Sequence, residues 1–231
     1  MMHDLLICFS PAQWRALPTE QLRASACVVI DVIRATSTIV TALAHGAGVQ
    51  AVASLDEAFA LKAQHPGVVL AGERGGQALP GFDLGNSPED FTTGRVQGRR
   101  VVLTTTNGTQ ALAACHGARA VMTASFLNLR AVAARLREIG PPWIIVCAGC
   151  DGEFGVDDAI VAGAMAEALE QEHPLVSLYR SVRRDLTETL LGSAAGRELV
   201  KVGLEKDVPF CAQLNLFSIV PTLGADGVLR G

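Results

Sequence analysis

Charge is scarce in this sequence. Charged residues are 18% of the 231, aromatic ones 5%, and 19 Lys and Arg against 23 Asp and Glu leave a net charge of −4. The basic residues are scattered, Arg99-Arg100 and Arg183-Arg184 being the densest groups. A stripe that neutralises phosphates along a strand is therefore missing, and nucleic acid is not expected as a partner. With hydrophobic residues at 49%, a disordered chain is excluded as well. The length suits one domain or two closely packed ones.

A disulfide framework is also missing. Cys8, Cys27, Cys115, Cys147, Cys150 and Cys211 mostly sit inside apolar runs, as small hydrophobes of a reducing compartment do. The amino-terminal LLICF lacks the basic flank and small-residue cleavage site of a secretory signal. Residues 35–55 are long enough to span a bilayer and nearly free of charge, but Thr, Ser, Gln and the Gly46-Ala47-Gly48 turn divide them into helix and strand. A cytoplasmic protein without membrane contact is expected, and a homo-oligomer is compatible with it.

Several catalytic signatures are absent too. There is no G-x-x-x-x-G-K-[ST] and no well-placed G-x-G-x-x-G after a strand. No cysteine has an arginine six positions on, as a phosphocysteine loop needs. Cys147-Ala-Gly-Cys150 has no second pair to make a zinc site, and a strand end explains Cys147. Asp31 follows a strand as an aspartyl-phosphate nucleophile does, but Ile33 stands where its acid partner belongs.

What the chain does have is an acidic stretch, WIIVCAGCDGEFGVDD, from Trp143 to Asp158. A buried-strand pattern stops in glycines and four carboxylates, a place suited to a hard cation such as magnesium. Asp157 and Asp158 precede the alanine-rich helix AIVAGAMAEALEQ, so capping explains them. Asp151 and Glu153 are required by no helix, which favours a functional role for them.

Alternating strand and helix patterns predict an α/β fold of three layers around a mostly parallel sheet. Strands are expected at 4–9, 26–33, 49–54, near 68–72, 100–106 and 120–123, with the continuous Cys27-Val28-Val29-Ile30 suiting a doubly covered central strand. Helices are expected at 39–47, 55–64, 110–117 and 125–139, then from 159 onward, with a cap at Ser193 and a last apolar run, FSIVP. Aligning 31–52 with 102–123 places His45-Gly46-Ala47 on His116-Gly117-Ala118, a shared strand-turn-helix-strand grammar. It supports one unit, 1–231, built from two related halves at about 1–98 and 99–231.

In an open parallel sheet, loops at the strands' carboxyl ends converge on one edge. Four such loops are polar here: 31–38, 73–87, 104–109 and 151–158. Thr36, Ser37, Thr105, Thr106 and Asn107 lie where helices begin, and Arg34 and Arg74 suit phosphate or sulfonate oxygens. Carboxylates beside anion-binding groups point to metal-bridged chemistry on an acidic substrate, with phosphoryl transfer foremost. Capping alone accounts for each Thr taken singly.

The runs DVIRATSTIVTAL, GERGG with FDLGNSP, LTTTNGT, and CAG followed by a glycine-acid segment resemble the 2-phosphosulfolactate phosphatases, magnesium-dependent enzymes of coenzyme M biosynthesis. The similarity extends through Ser193, Gly196, Gly203, Asp207 and Cys211. It implies hydrolysis of 2-phospho-3-sulfolactate, with Mg2+ as cofactor and a small anionic phosphorylated substrate. Asp31, Glu73, Asp151 and Glu153 are then the candidates for metal binding or water activation, with Asp158 as a further ligand. Arg34, Thr36, Ser37, Arg74, Asn86, Ser87, Thr105, Thr106 and Asn107 would hold the substrate. Asp157-Asp158 replaces the family's usual Glu-Asp, one methylene shorter. Direct attack by water is preferred to a phosphoenzyme, since no nucleophile with a matched acid is visible. A phosphotransferase or a non-catalytic metabolite sensor are the alternatives.

Overall fold

Residues 4–231 are described by a computed structural model. The first half of the chain forms β1 (Leu5–Cys8), α1 (Pro11–Arg15), α2 (Thr19–Ala24), β2 (Ala26–Ile30), α3 (Ala35–Ala44), β3 (Gly48–Ala51), α4 (Leu55–Gln64), β4 (Val69–Arg74), β5 (Gln77–Ala78) and α5 (Thr93–Val96). There follow β6 (Arg100–Thr104), α6 (Gly108–Ala114), β7 (Ala120–Ala124), α7 (Leu129–Ile139), β8 (Trp143–Cys147) and α8 (Val156–Ala168). A helical arm, α9 (Pro174–Val182), α10 (Leu186–Leu191), α11 (Ala194–Lys201) and α12 (Asp207–Cys211), leads to β9 (Thr222–Leu223) and β10 (Val228–Arg230).

The strands form one sheet in the order β1-β8-β2-β7-β9-β10-β3-β6-β4-β5. Central β2 is buried along its whole length between β7 and β8, as its unbroken apolar run requires. Alternate residues of β2 face different helices. Val28 and Ile30 join Met122, Ile145 and helices α7 and α8 on one face, while Cys27 and Val29 join α3 and α6 on the other. Val69, Ala71, Val101 and Leu103 of β4 and β6 pack on that same α3–α6 pair, and α4 covers their outer face. The buried strands of the sheet are thus a middle layer between helices.

The sheet is not one open parallel array. β1, β8, β2 and β7 are mutually parallel, as are β3, β6 and β4, but β9 and β10 join the two blocks through three successive antiparallel pairings. The blocks therefore run in opposite directions, and their carboxyl ends meet because both wrap the same helices rather than because they share one edge. The chain crosses between the blocks in opposite senses: from β2 into β3 and β4, then from β6 into β7 and β8. Neither stretch builds a block alone. Gly46 and Gly117 stand just past α3 and α6 with the same φ of 86°, the left-handed conformation that ends a helix and that glycine adopts without cost.

The β9–β10 hairpin has no counterpart in the expected strands, because two- and three-residue strands are too short to show a period. FSIVP is not a strand but leads into β9. Glu73 and Arg74, expected in a loop, end β4 and turn through Gly75-Gly76 into β5. Helix α3 starts at Ala35, ahead of the expected 39, and Ser125 opens the α7 segment with a capping box closed by Asn128. No helix among the described residues is long and apolar enough to cross a membrane. All six cysteines are free thiols.

Candidate active site

The turn after β2 is held by its own hydroxyls. Thr36 donates both its N–H and its Oγ1–H to the Asp31 carbonyl, at 2.8 and 2.9 Å, and Ser37 donates to the Val32 carbonyl. Their side chains are fully buried, so Thr36 and Ser37 shape the turn, and neither lines the cavity described below. Asp158 joins this turn to the acidic loop, accepting from Val32 N–H at 2.9 Å and Gly149 N–H at 3.0 Å.

The acidic loop itself is a tight hairpin. Cys150 and Glu153 exchange both backbone hydrogen bonds, with Asp151 and Gly152 between them at φ of 50° and 86°. These values suit the Asp-Gly pair of a type I′ turn. Asp151 stands at its tip, and Glu153 leaves on the far side.

Glu73 pins β4 to the start of α6. Its Oε1 accepts from the Thr106 N–H at 2.8 Å and hydroxyl at 3.0 Å, and its Oε2 from Gly76 N–H at 2.9 Å. Gly108, opening α6, lies so close to β2 that an added Cβ would stand 2.7 Å from Asp31 Oδ2. Glycine is required there for the two blocks to meet. Arg34 is buried and donates to Asp207 Oδ2 at 2.7 Å, which also accepts from Ser87 Oγ at 2.7 Å. The arm thus reaches the site through α12.

Around these groups lies a cavity of about 150 Å3. Asp31, Arg34, Glu73, Asn86, Thr105, Thr106, Asn107 and Asp151 line it, as expected from the sequence. Thr36, Ser37, Arg74, Ser87, Glu153 and Asp158 do not. Arg74 instead donates to Thr104 Oγ1 and to the Glu73 carbonyl. Among the described residues no three His, Cys, Asp or Glu side chains are gathered to hold one ion, so the five carboxylates taken as ligands are not one assembled set. Ile33, Gly75-Gly76, Cys150 and, from α11, Ala195, Glu198 and Leu199 complete the lining, and sequence reasoning assigned none of them to the site. Nothing in the chemistry of α11 marks it in advance.

Charge is unbalanced here. Asp31, Glu73, Asp151 and Glu198 line the cavity; Glu198 is paired with Lys201, and the one guanidinium of the lining is already engaged by Asp207. Burial, reinforced by the nearby Glu73 and Asp157 carboxylates, pushes Asp31 up to about 7. Burial likewise pushes Asp157 up to about 6, and its Oδ1 has no hydrogen-bond partner. The backbone N–H groups of Asp157 and Asp158 at the start of α8 pull the other way, as capping does, but they leave Oδ1 without a partner. Asp158 is raised by burial and then by Asp157 and Asp31. Cys150 is held up at about 11 by burial and then by Asp151, which does not suit a redox thiolate.

Crowded carboxylates, buried amides and a guanidinium around a small cavity define an α/β enzyme that handles a compact anion. The sequence profile of the 2-phosphosulpholactate phosphatase family matches residues 13–226. A "Probable 2-phosphosulfolactate phosphatase" of Deinococcus radiodurans is 44% identical over 207 residues, 85% of this chain and 86% of that protein. Those of Thermotoga petrophila and Synechococcus sp. (strain CC9605) are 41% and 40% identical, covering 89% and 91% of this chain and 92% and 94% of theirs. The chain belongs to the 2-phosphosulpholactate phosphatase family, a family of phosphomonoester hydrolases.

Proposed function

We propose that this protein is a magnesium-dependent phosphatase that hydrolyses 2-phospho-3-sulfolactate to sulfolactate and phosphate in the cytoplasm, as a step toward coenzyme M. One observation carries the metal: Asp31, Glu73 and Asp151 line the cavity without a basic partner, Glu198 being paired with Lys201 and Arg34 with Asp207, so a polyanion is favoured there with a cation beside it. Asp31 lines the cavity, and the partnerless Asp157 Oδ1, buried outside the lining, lies near it; the two would hold a hard cation that takes one or two carboxylates and completes its shell with water and phosphate oxygens. Magnesium bound there supplies positive charge for the phosphoryl oxygens and acidifies a water molecule.

The chain's own groups do the rest. Asn86 and Asn107, which opens α6 without a side-chain cap bond, line the cavity and offer their Nδ2–H groups to the substrate. Arg34, fixed by Asp207, faces the phosphoryl oxygens with its remaining donors. Glu73 holds the Thr106 turn and the glycine hairpin in register. Asp151, at the tip of its turn, takes a proton from the attacking water as that oxygen bonds to phosphorus and the bond from phosphorus to the ester oxygen breaks. The leaving oxygen takes a proton from solvent to become the hydroxyl of sulfolactate.

Phosphate release from 2-phosphosulfolactate and a phosphomonoester panel, with magnesium or chelator, tests the reading. Release that needs magnesium supports it. Binding without release from any ester refutes it in favour of a sensor, and release only to an organic acceptor favours transfer. Asp151→Asn is expected to abolish most turnover with an unchanged melting temperature.

A further inference from the structure

The expected second anion-binding arginine, Arg74, does not line the cavity, and Arg34 is already bonded to Asp207. A second cavity of about 210 Å3 adjoins the first and shares Thr106, Asn107 and Asp151 with it. Its cation is Arg15, at the end of α1.

Arg15 is held in place by its neighbours. Its guanidinium carbon lies 4.9 Å from the centroid of the Trp14 ring, and Nη2 donates to Gln110 Oε1 at 2.9 Å. Trp14 is buried and anchored by its indole N–H to the Cys147 carbonyl at the end of β8. Gln110 is anchored in turn by its amide to the Thr106 carbonyl, beside Glu73. Both supports thus tie Arg15 to the loops that build the main cavity. Of five guanidinium N–H groups one is engaged within the protein, and among the described residues no carboxylate pairs with Arg15. Asp151 is the acidic residue of the second cavity, and it stands at the border with the first, which it also lines.

Resting on the phosphatase reading, we propose that Arg15, stacked on Trp14 and steered by Gln110, forms a second anion subsite that takes the sulfonate of the substrate while the phosphoryl group occupies the first cavity. A sulfonate is a fixed monoanion with three tetrahedrally arranged oxygens, and a permanently charged planar fork matches two of them. Arg15 is then a specificity residue: it selects a phosphate ester carrying a second strong-acid anion over one without it.

Titration calorimetry in magnesium chloride with sulfolactate and, separately, inorganic phosphate tests this on wild type, Arg15→Gln and Arg15→Lys. Loss of a charge-assisted fork weakens sulfolactate roughly tenfold to a hundredfold in Arg15→Gln and leaves phosphate within about twofold. Arg15→Lys, which keeps the charge but not the fork, falls between. Unchanged sulfolactate affinity, a loss in step with phosphate, or a wild type that does not bind sulfolactate overturns the subsite. Turnover is scored apart from this. A wild type that holds sulfolactate through Arg15 yet releases no phosphate from 2-phosphosulfolactate refutes the phosphatase and leaves the subsite standing.

Discussion

Replacing Asp207 by alanine tests how the helical arm is locked onto the sheet. Arg34 and Asp207 are 2% and 0% exposed and 2.7 Å apart, with 173 residues between them. At an effective dielectric of about 20, charges at that distance attract by about 6 kcal/mol, while each ion loses several kcal/mol of hydration, so the net worth of the pair is small. Breaking it is another matter. Asp207→Ala leaves Arg34 charged and buried with only Ser87 Oγ and the Gly76 carbonyl as partners, and costs about 3–5 kcal/mol. For a domain of this size that lowers the melting temperature by roughly 6–20 °C. Denaturant unfolding at neutral pH is the assay, with Arg34→Met/Asp207→Leu as the companion. That double variant removes both charges and is expected to recover much of the stability while remaining inactive. An Asp207→Ala protein within about 1 kcal/mol of wild type would refute a buried, unrelieved arginine.

The remaining expectations concern charge and close contact. Asp31, lifted from 3.8 to about 7, and Asp157, lifted from 3.8 to about 6, bind protons in the folded state that the unfolded chain releases. Their contribution is therefore fully present below pH 3.8 and is lost as pH rises through about 6 and then about 7, so metal-free protein is expected to lose stability across that window. Magnesium is expected to raise the melting temperature more at pH 8 than at pH 5; scanning calorimetry with and without chelator checks both. Asp157→Asn removes a buried, unpartnered charge, so metal-free stability at pH 8 rises by roughly 2 kcal/mol while turnover drops by roughly two orders of magnitude or more. Chemical denaturation and phosphate release on the same sample separate the two effects. Gly163→Ala puts a methyl against the Leu175 carbonyl where α8 crosses α9, an overpacking cost of about 1–3 kcal/mol seen in the denaturation midpoint. Gly108→Ala crowds Asp31 and Ala35 at the junction of the two blocks and is expected to lower both the denaturation midpoint and kcat.

Much of the layer structure is legible residue by residue. β2 and β8 are continuous apolar runs because helices cover both their faces, and α7 shows its stripe of Leu129, Val132 and Leu136 because its other face meets water. The polar loops after β2, β6 and β8, and the end of β4, were marked by composition, and Asp31, Glu73, Asn86 and Asp151 do line one cavity. Their convergence, however, was inferred from a parallel edge that does not exist. Strand direction depends on long-range pairing, and the pairings that reverse it come from β9 and β10, too short for any periodic signal.

Within the site the same division holds. A hydroxyl before a helix reads alike whether it binds a ligand or its own main chain, so Thr36 and Ser37 could not be told from Thr106 until their partners were placed. Asp157 reads as a cap because an acid at a helix start favours the dipole, yet its buried, partnerless oxygen lies near Asp31. Arg74 and Glu153 have suitable chemistry and turn elsewhere. By itself the sequence determined the α/β class, the loops where polar groups gather and the family, since these depend on local pattern and residue identity. Tertiary structure alone decided which of those groups share a cavity, that Arg34 arrives already bonded to Asp207, and that Arg15 stands unpaired next door, since each depends on contacts between segments far apart in the chain.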